Sequence, residues 1–296
     1  MIEFRHILCP LDLSELSPAT FRVATMVARR YGASITVLEM IWVGVSADTD
    51  SSPLDLVPES QKRFADELQE FVGVHAPAGL AVNVALREGP IVQGILDEQR
   101  AGGYDLIVMG THGRGGFDRL VLGSVAEKVL RKAPCPVLTV PPGAGKADGT
   151  VAPRQTILCA VDFSPASLVA LTYALSLTEE PGRRLILLHV FDGPFDRSSP
   201  TDVAPEQAEP GPSREALARQ ELHDAVPESA RTSGEVIELV ETGRPHDVIT
   251  RIAQEQDADL IVLGVHGRSG VELALFGSTT HQVVRHATCP VLTIRP

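Results

Sequence analysis

The chain repeats itself, and that repetition limits its folds more than any single motif does. Ile7-Leu8-Cys9-Pro10-Leu11-Asp12-Leu13-Ser14 returns 150 positions later as Ile157-Leu158-Cys159-Ala160-Val161-Asp162-Phe163-Ser164. Asp105-Leu106-Ile107-Val108-Met109-Gly110-Thr111-His112-Gly113-Arg114 returns 154 positions later as Asp259-Leu260-Ile261-Val262-Leu263-Gly264-Val265-His266-Gly267-Arg268. Cys135-Pro136-Val137-Leu138-Thr139-Val140 and Cys289-Pro290-Val291-Leu292-Thr293-Ile294 close the two copies. A repeat this long is a duplicated domain and not a solenoid unit. The 296 residues therefore read as domains 1–140 and 155–296, joined by a linker at 141–154 rich in Pro, Gly and Ala. Each copy is long enough to bury its own core.

Within each copy, short β-branched runs alternate with longer helical patterns, the signal for βαβ units and a parallel sheet. Strands are predicted near 5–9, 34–41, 80–87, 105–110 and 136–140, and helices near 17–31, 58–74, 90–102 and 124–132. In the second copy, strands are predicted near 155–161, 184–191, 235–241, 259–264 and 290–295, with helices near 165–179, 213–225, 245–256 and 278–286. The runs Leu106-Ile107-Val108-Met109 and Leu260-Ile261-Val262-Leu263 have the character of central strands covered on both faces. The fold class is α/β, with five parallel strands per copy and helices on both faces.

Charge narrows the partners. With 26 Lys+Arg against 38 Asp+Glu the net charge is -12, the wrong sign for a general nucleic-acid binder. No apolar run approaches the roughly 18–20 residues that span a bilayer, and Met-Ile-Glu-Phe-Arg-His lacks a basic segment leading into an apolar one, so a cytoplasmic location is expected. Cys9, Cys135, Cys159 and Cys289 form no CxxC pair and read as buried thiols.

In an open parallel sheet, ligands bind past the carboxyl ends of the strands where strand order reverses. Asp12 and Asp162 follow their first strands, and Gly110 and Gly264 close their fourth. Either aspartate can be a helix-start residue instead, since Ser14 and Ser164 nearby are plausible caps. After the fourth strand the spacing G-x2-G-x9-G-S occurs twice, as Gly110, Gly113, Gly123, Ser124 and as Gly264, Gly267, Gly277, Ser278. Glycines admit close approach to main-chain N–H groups, and a helix start with a serine hydroxyl suits an anion. Arg114 and Arg268 can add charge to phosphates or stay solvated. His112 and His266 can pack in the loops or touch phosphate.

At these residues the sequence resembles the universal stress protein family in its tandem form, over nearly the whole chain. The resemblance implies two Rossmann-like (HUP-type) domains of strand order 3-2-1-4-5 that bind an adenine nucleotide and serve stress regulation more than metabolism. Carried over by position, Asp12 and Asp162 would bind ribose hydroxyls, and the main chain of Met40 and Val190 would meet adenine. Gly110, Gly113, Gly123 and Ser124 would hold phosphates in one copy, and Gly264, Gly267, Gly277 and Ser278 in the other. Val125 and Thr279 would extend the phosphate cradle through main-chain N–H groups, with Pro10, Met109 and Leu263 beside the site. The family pattern His-Val appears as His189-Val190, but the first copy has Glu39-Met40, and Ala160 stands where the first copy has Pro10. The implied cofactor is ATP, with AMP and ADP as alternatives and Mg²⁺ carried by the nucleotide.

Catalysis is not signalled. Neither copy has a G-x4-G-K-[ST] loop, an HxGH segment or an SGGxDS segment, so a slow ATPase or adenylyl-transferring enzyme is the secondary reading. The connections 43–58 and 192–213, rich in Pro, Asp, Ser and Gly, should emerge at the carboxyl end and either cover the nucleotide or form surface loops. The closing strands, 137–140 and 291–294, are too apolar to stay bare, and in the resembled family they pair within the chain; a homodimer is left open.

Overall fold

A computed structural model describes residues 2–41, 53–113, 122–144, 155–178, 182–193, 213–265 and 277–295, with backbone only at 53–60 and 233. The chain divides into two compact units, Met1–Asp148 and Gly149–Pro296. Arg114, His266, Gly267 and Arg268 lie outside the described residues, as do most of the connections 43–58 and 192–213.

Unit 1 runs β1 (His6–Pro10), α1 (Ser17–Tyr31), β2 (Ser34–Ile41), α2 (Pro53–His75), β3 (Val82–Glu88), α3 (Ile91–Gly102), β4 (Leu106–Gly110), α4 (Ser124–Lys132) and β5 (Val137–Val140). Its strands lie in the order β3-β2-β1-β4-β5, all parallel. Unit 2 runs β6 (Thr156–Ala160), α5 (Pro165–Leu177), β7 (Arg184–Phe191), α6 (Arg214–Asp224), α7 (Glu228–Ser233), β8 (Glu235–Thr242), α8 (Pro245–Glu255), β9 (Leu260–Gly264), α9 (Ser278–His286) and β10 (Val291–Ile294). Its order is β8-β7-β6-β9-β10, again parallel. The chain moves outward through three strands, then returns past the first to place the fourth on its other side. With right-handed crossovers, that reversal sends helices to opposite faces and opens a crevice between the first and fourth strands.

The central strands are as dry as their composition requires: Ile7, Leu8, Cys9, Leu106, Ile107 and Val108 are fully buried, as are Leu158, Cys159, Ile261 and Val262. Two elements depart from the sequence expectation. Helix α2 begins at Pro53 and not near 58, carrying Pro58 inside it at the loss of one backbone hydrogen bond; Leu68 and Val72, both buried, anchor its later turns. Helix α7 has only six residues, too few for a periodic pattern to show, and starts directly after Pro227. Among the described residues no helix is long and apolar enough to cross a membrane.

The cysteines are inert by environment. Burial pushes the Cys9 thiol far up and those of Cys135, Cys159 and Cys289 up to about 12. The thiolate is the reactive form, so the folded protein at pH 8 should resist Ellman's reagent, with all four thiols appearing once it is denatured.

Aspartates at the start of β4 and β9 tie those strands to the first strand of their unit. Asp105 Oδ2 accepts from the Arg5 N–H at 2.7 Å, and Asp259 Oδ2 from the Thr156 N–H at 2.9 Å. Burial raises the Asp259 carboxyl above its ordinary range, opposed by the Thr156 N–H and assisted by Asp257. A carboxyl whose pKa is raised by folding stabilises the fold below its unfolded pKa, and that contribution is lost as pH rises through the folded pKa. Asn at 259 keeps the acceptor and drops the charge. Asp259→Asn should therefore match the parent near pH 4, about the ordinary Asp value, and melt at a higher temperature than the parent at pH 7.

Candidate functional site

The first strand of each unit ends in a turn that fixes a carboxylate. In unit 1, Asp12 Oδ1 accepts from the Ser14 N–H at 3.1 Å and the Ser17 hydroxyl at 3.2 Å. In unit 2, Asp162 Oδ1 accepts from the Ser164 N–H at 3.0 Å and the Ser164 hydroxyl at 2.5 Å. Between each aspartate and its serine sits a left-handed residue, Leu13 with φ 53° and Phe163 with φ 61°. That conformation is costly for a bulky side chain and is met where the surroundings over-determine it. Ser164 also caps α5 by accepting from the Ser167 N–H at 3.3 Å. Ser14 does not cap α1, whose N-cap is Leu16, so capping and carboxylate fixation coexist in unit 2 and separate in unit 1.

The strand-order reversal brings these carboxylates to the glycine loops. In unit 1, a Cβ on Gly113 would stand 2.6 Å from Asp12 Oδ2, so any larger residue there must push that carboxylate aside. In unit 2 a cleft of about 150 Å³ opens at the carboxyl ends of the strands, where Asp162, Val190, Leu263, Gly264, Ser278 and Thr279 converge. Gly277 lies on its wall, as do Ser167, Pro245 and Ile249, which sequence reasoning did not single out. A larger cavity, about 350 Å³, lies at the other end of unit 1 among Ala28, Gly32, Ser34 and Leu80. It holds none of the predicted site residues.

The described glycines of the signature differ in their surroundings. A Cβ on Gly264 would fall 2.7 Å from the Ala166 carbonyl carbon, so this glycine lets α5 close on β9. Gly110 is less crowded, its nearest atoms being the His112 carbonyl oxygen at 3.1 Å and Thr20 Oγ1 at 3.2 Å. Gly123 and Gly277 give their own N–H groups to the carbonyls of Thr111 and Val265, at 2.8 and 3.0 Å. The donors left for an anion are thus the next three N–H groups, those of Ser278, Thr279 and Thr280 in unit 2, because the first helical bond comes from His281 to Gly277. In unit 1 the corresponding groups belong to Ser124, Val125 and Ala126, ahead of the Glu127 bond to Gly123.

The second strand supplies main chain. Val161 N–H donates to the Leu188 carbonyl at 2.9 Å and Gly243 N–H to the Phe191 carbonyl at 3.0 Å. Alternation along β7 therefore turns the Val190 N–H and C=O to the side where β6 has already ended. Met40 stands likewise beyond β1, since Leu11 N–H takes the Leu38 carbonyl and Gly89 N–H the Ile41 carbonyl. His189 is buried between Phe163 and Phe191, each 4.8 Å away by ring centroid, and its Nδ1 donates to the Val161 carbonyl at 2.7 Å. It holds β7 to the Asp162 turn and does not face the cleft. His112 Nδ1 pairs with the Thr111 hydroxyl at 2.9 Å, and the second copy has Val265 at the position of Thr111. Pro10 ends β1 opposite Leu38, and Met109 is buried in β4. No group of three His, Cys, Asp or Glu side chains able to hold a metal occurs among the described residues.

Comparison with known proteins supplies the frame for this geometry. The model of the universal stress protein family matches residues 3–141 and again 153–295. A universal stress protein of Mycolicibacterium smegmatis is 28% identical over 98% of this chain and 97% of its own length. Universal stress protein E of Photorhabdus laumondii is 25% identical across 100% of this chain and 96% of its own. The crystal structure of a universal stress protein from Archaeoglobus fulgidus shares the fold with a TM-score of 0.70 at 24% identity, covering 99% of this chain and 97% of that one.

Proposed function

The chain belongs to the universal stress protein family, and from that premise we propose that it binds an adenine nucleotide, ATP, in each unit and acts as a regulatory stress-response protein. The observation that carries the reading is the unit 2 cleft, where a fixed carboxylate, strand-end main chain and a helix start with two hydroxyls meet in one space. Asp162 accepts from the ribose hydroxyls. The Val190 N–H and C=O offer a donor and an acceptor to the edge of adenine, against the apolar wall of Pro245 and Ile249. The phosphates lie on the start of α9, where the N–H groups and the hydroxyls of Ser278 and Thr279 add to the positive end of the helix dipole.

These groups fit a triphosphate. Mg²⁺ would be held by the phosphates themselves. The described residues include no lysine aimed at a transferred phosphate and no second acid to orient a nucleophile, so the bound nucleotide is read as a signal that shifts a conformational population. Mass analysis of small molecules released on denaturing the purified protein should find an adenine nucleotide. Turnover of added ATP should stay well below about 1 s⁻¹, the low end of ordinary enzyme rates. Release of no nucleotide, together with no binding of added ATP, would overturn the reading; turnover at enzymatic rates that fell on Asp12→Ala with Asp162→Ala would replace it with the hydrolase or adenylyl-transfer alternative.

A further inference from the structure

We propose that the two sites differ in selectivity: unit 2 holds adenine against a rigid wall, whereas unit 1 takes nucleotides more weakly and barely distinguishes adenine from cytosine, which offers the same donor and acceptor on a smaller ring. The inference rests on the nucleotide reading above and goes beyond it, to what each base subsite admits.

In unit 2, Val190 lines the cleft together with Pro245 and Ile249, and Val248, 1% exposed, packs in the same turn of α8. Both valines are β-branched and held to few rotamers. By chain position Met40 and Gly94 answer to Val190 and Val248. The Met40 side chain lies in the notch that Gly94 leaves in the first turn of α3: a Cβ on Gly94 would stand 2.7 Å from Met40 Sδ, with Cε closer still. At these two positions unit 2 has two stiff side chains, and unit 1 has one long flexible side chain seated on a bare backbone.

A thioether with three rotatable bonds reshapes to what it meets. Such a wall loses rotamer freedom when a ligand fixes it, which lowers affinity, and it cannot reject a smaller base by shape because it fills the gap that base leaves. The phosphate end of unit 1 is weaker as well. The first turn of α4 carries Glu127, whereas that of α9 carries no acid, and Val125 replaces the Thr279 hydroxyl.

Calorimetric titration of the full chain with ATP and with CTP tests this. Ser278→Glu places a carboxylate where unit 2 would hold phosphate and leaves unit 1 to report; Ser124→Glu does the reverse. The Ser124→Glu protein should prefer ATP over CTP by about ten-fold or more, the scale a shaped apolar pocket achieves. The Ser278→Glu protein should bind the two within about three-fold of each other, and ATP about ten-fold more weakly than the other variant does. Adding Met40→Val with Gly94→Val to Ser278→Glu should create the preference. Adding Val190→Met with Val248→Gly to Ser124→Glu should erase it. Melting curves verify that each variant is folded, and the single-site comparison stands even if a swapped pair is not. Equal ATP-to-CTP ratios in the two single-site proteins, or folded swaps that leave both ratios unmoved, would overturn the inference while leaving the nucleotide reading intact. Failure of the parent protein to bind either nucleotide would overturn both.

Discussion

The double variant Ser124→Glu with Ser278→Glu should lose ATP affinity by two to three orders of magnitude while melting no earlier than its parent. Both serines are the exposed first residues of their helices. An acid in the first turn complements the helix dipole, which stabilises the fold by a few tenths of a kcal/mol to about 1 kcal/mol. The same carboxylate about 4 Å from a phosphate repels it by about 4 kcal/mol at the effective dielectric of a protein surface, close to a thousand-fold in binding. The two effects have opposite signs, so misfolding cannot imitate the result. Retained ATP binding, with the melting temperature unchanged or raised, would place the phosphates elsewhere.

The second large effect concerns stability. Gly264→Ala should lower the melting temperature of unit 2 markedly, because the added methyl would lie 2.7 Å from the Ala166 carbonyl carbon and 2.8 Å from the Ser167 nitrogen. Those are backbone atoms of α5, so the helix must retreat from β9. Overpacking of this kind costs about 1–3 kcal/mol, or roughly 3–10 °C for a domain of about 150 residues. Gly110→Ala should cost less, since one of its two close neighbours is the Thr20 hydroxyl oxygen, which can shift. Were these glycines present only for a ligand, both substitutions would leave the melting curve of the ligand-free protein where it was. A differential scan of the two variants without nucleotide separates the explanations.

Much of this architecture is legible in the residues, for physical reasons. Strand β4 and strand β9 are apolar on both faces, and only a central parallel strand needs that, so their places followed from composition alone. The glycine spacing located the crevice because the same residues recur in both copies with the same separation. What escaped was set by contacts distant in sequence or by backbone angles that residue type does not announce. Nothing in Leu13 or Phe163 suggests a positive φ, and both side chains would ordinarily argue against one. The Met40 seat on Gly94 joins residues far apart in sequence, and in the sequence Gly94 is merely a weak point in a helix. The roles of Gly123 and Gly277 were also finer than their spacing implied, since their N–H groups hold the loop and the open N–H groups of the helix start come after them.

The left-handed residues beside the two aspartates bear on how this protein would respond to selection. A bulky side chain in that region costs about 1–2 kcal/mol, and the chain carries such a residue twice. Glycine or asparagine at position 13 or 163 would relieve that strain, so a screen for heat resistance alone would enrich such changes early. The same substitutions would loosen the turn that aims each carboxylate. Thermostability gained there would come with a less sharply aimed Asp12 or Asp162, and a library scored on survival at high temperature would drift toward proteins that endure heat and bind poorly.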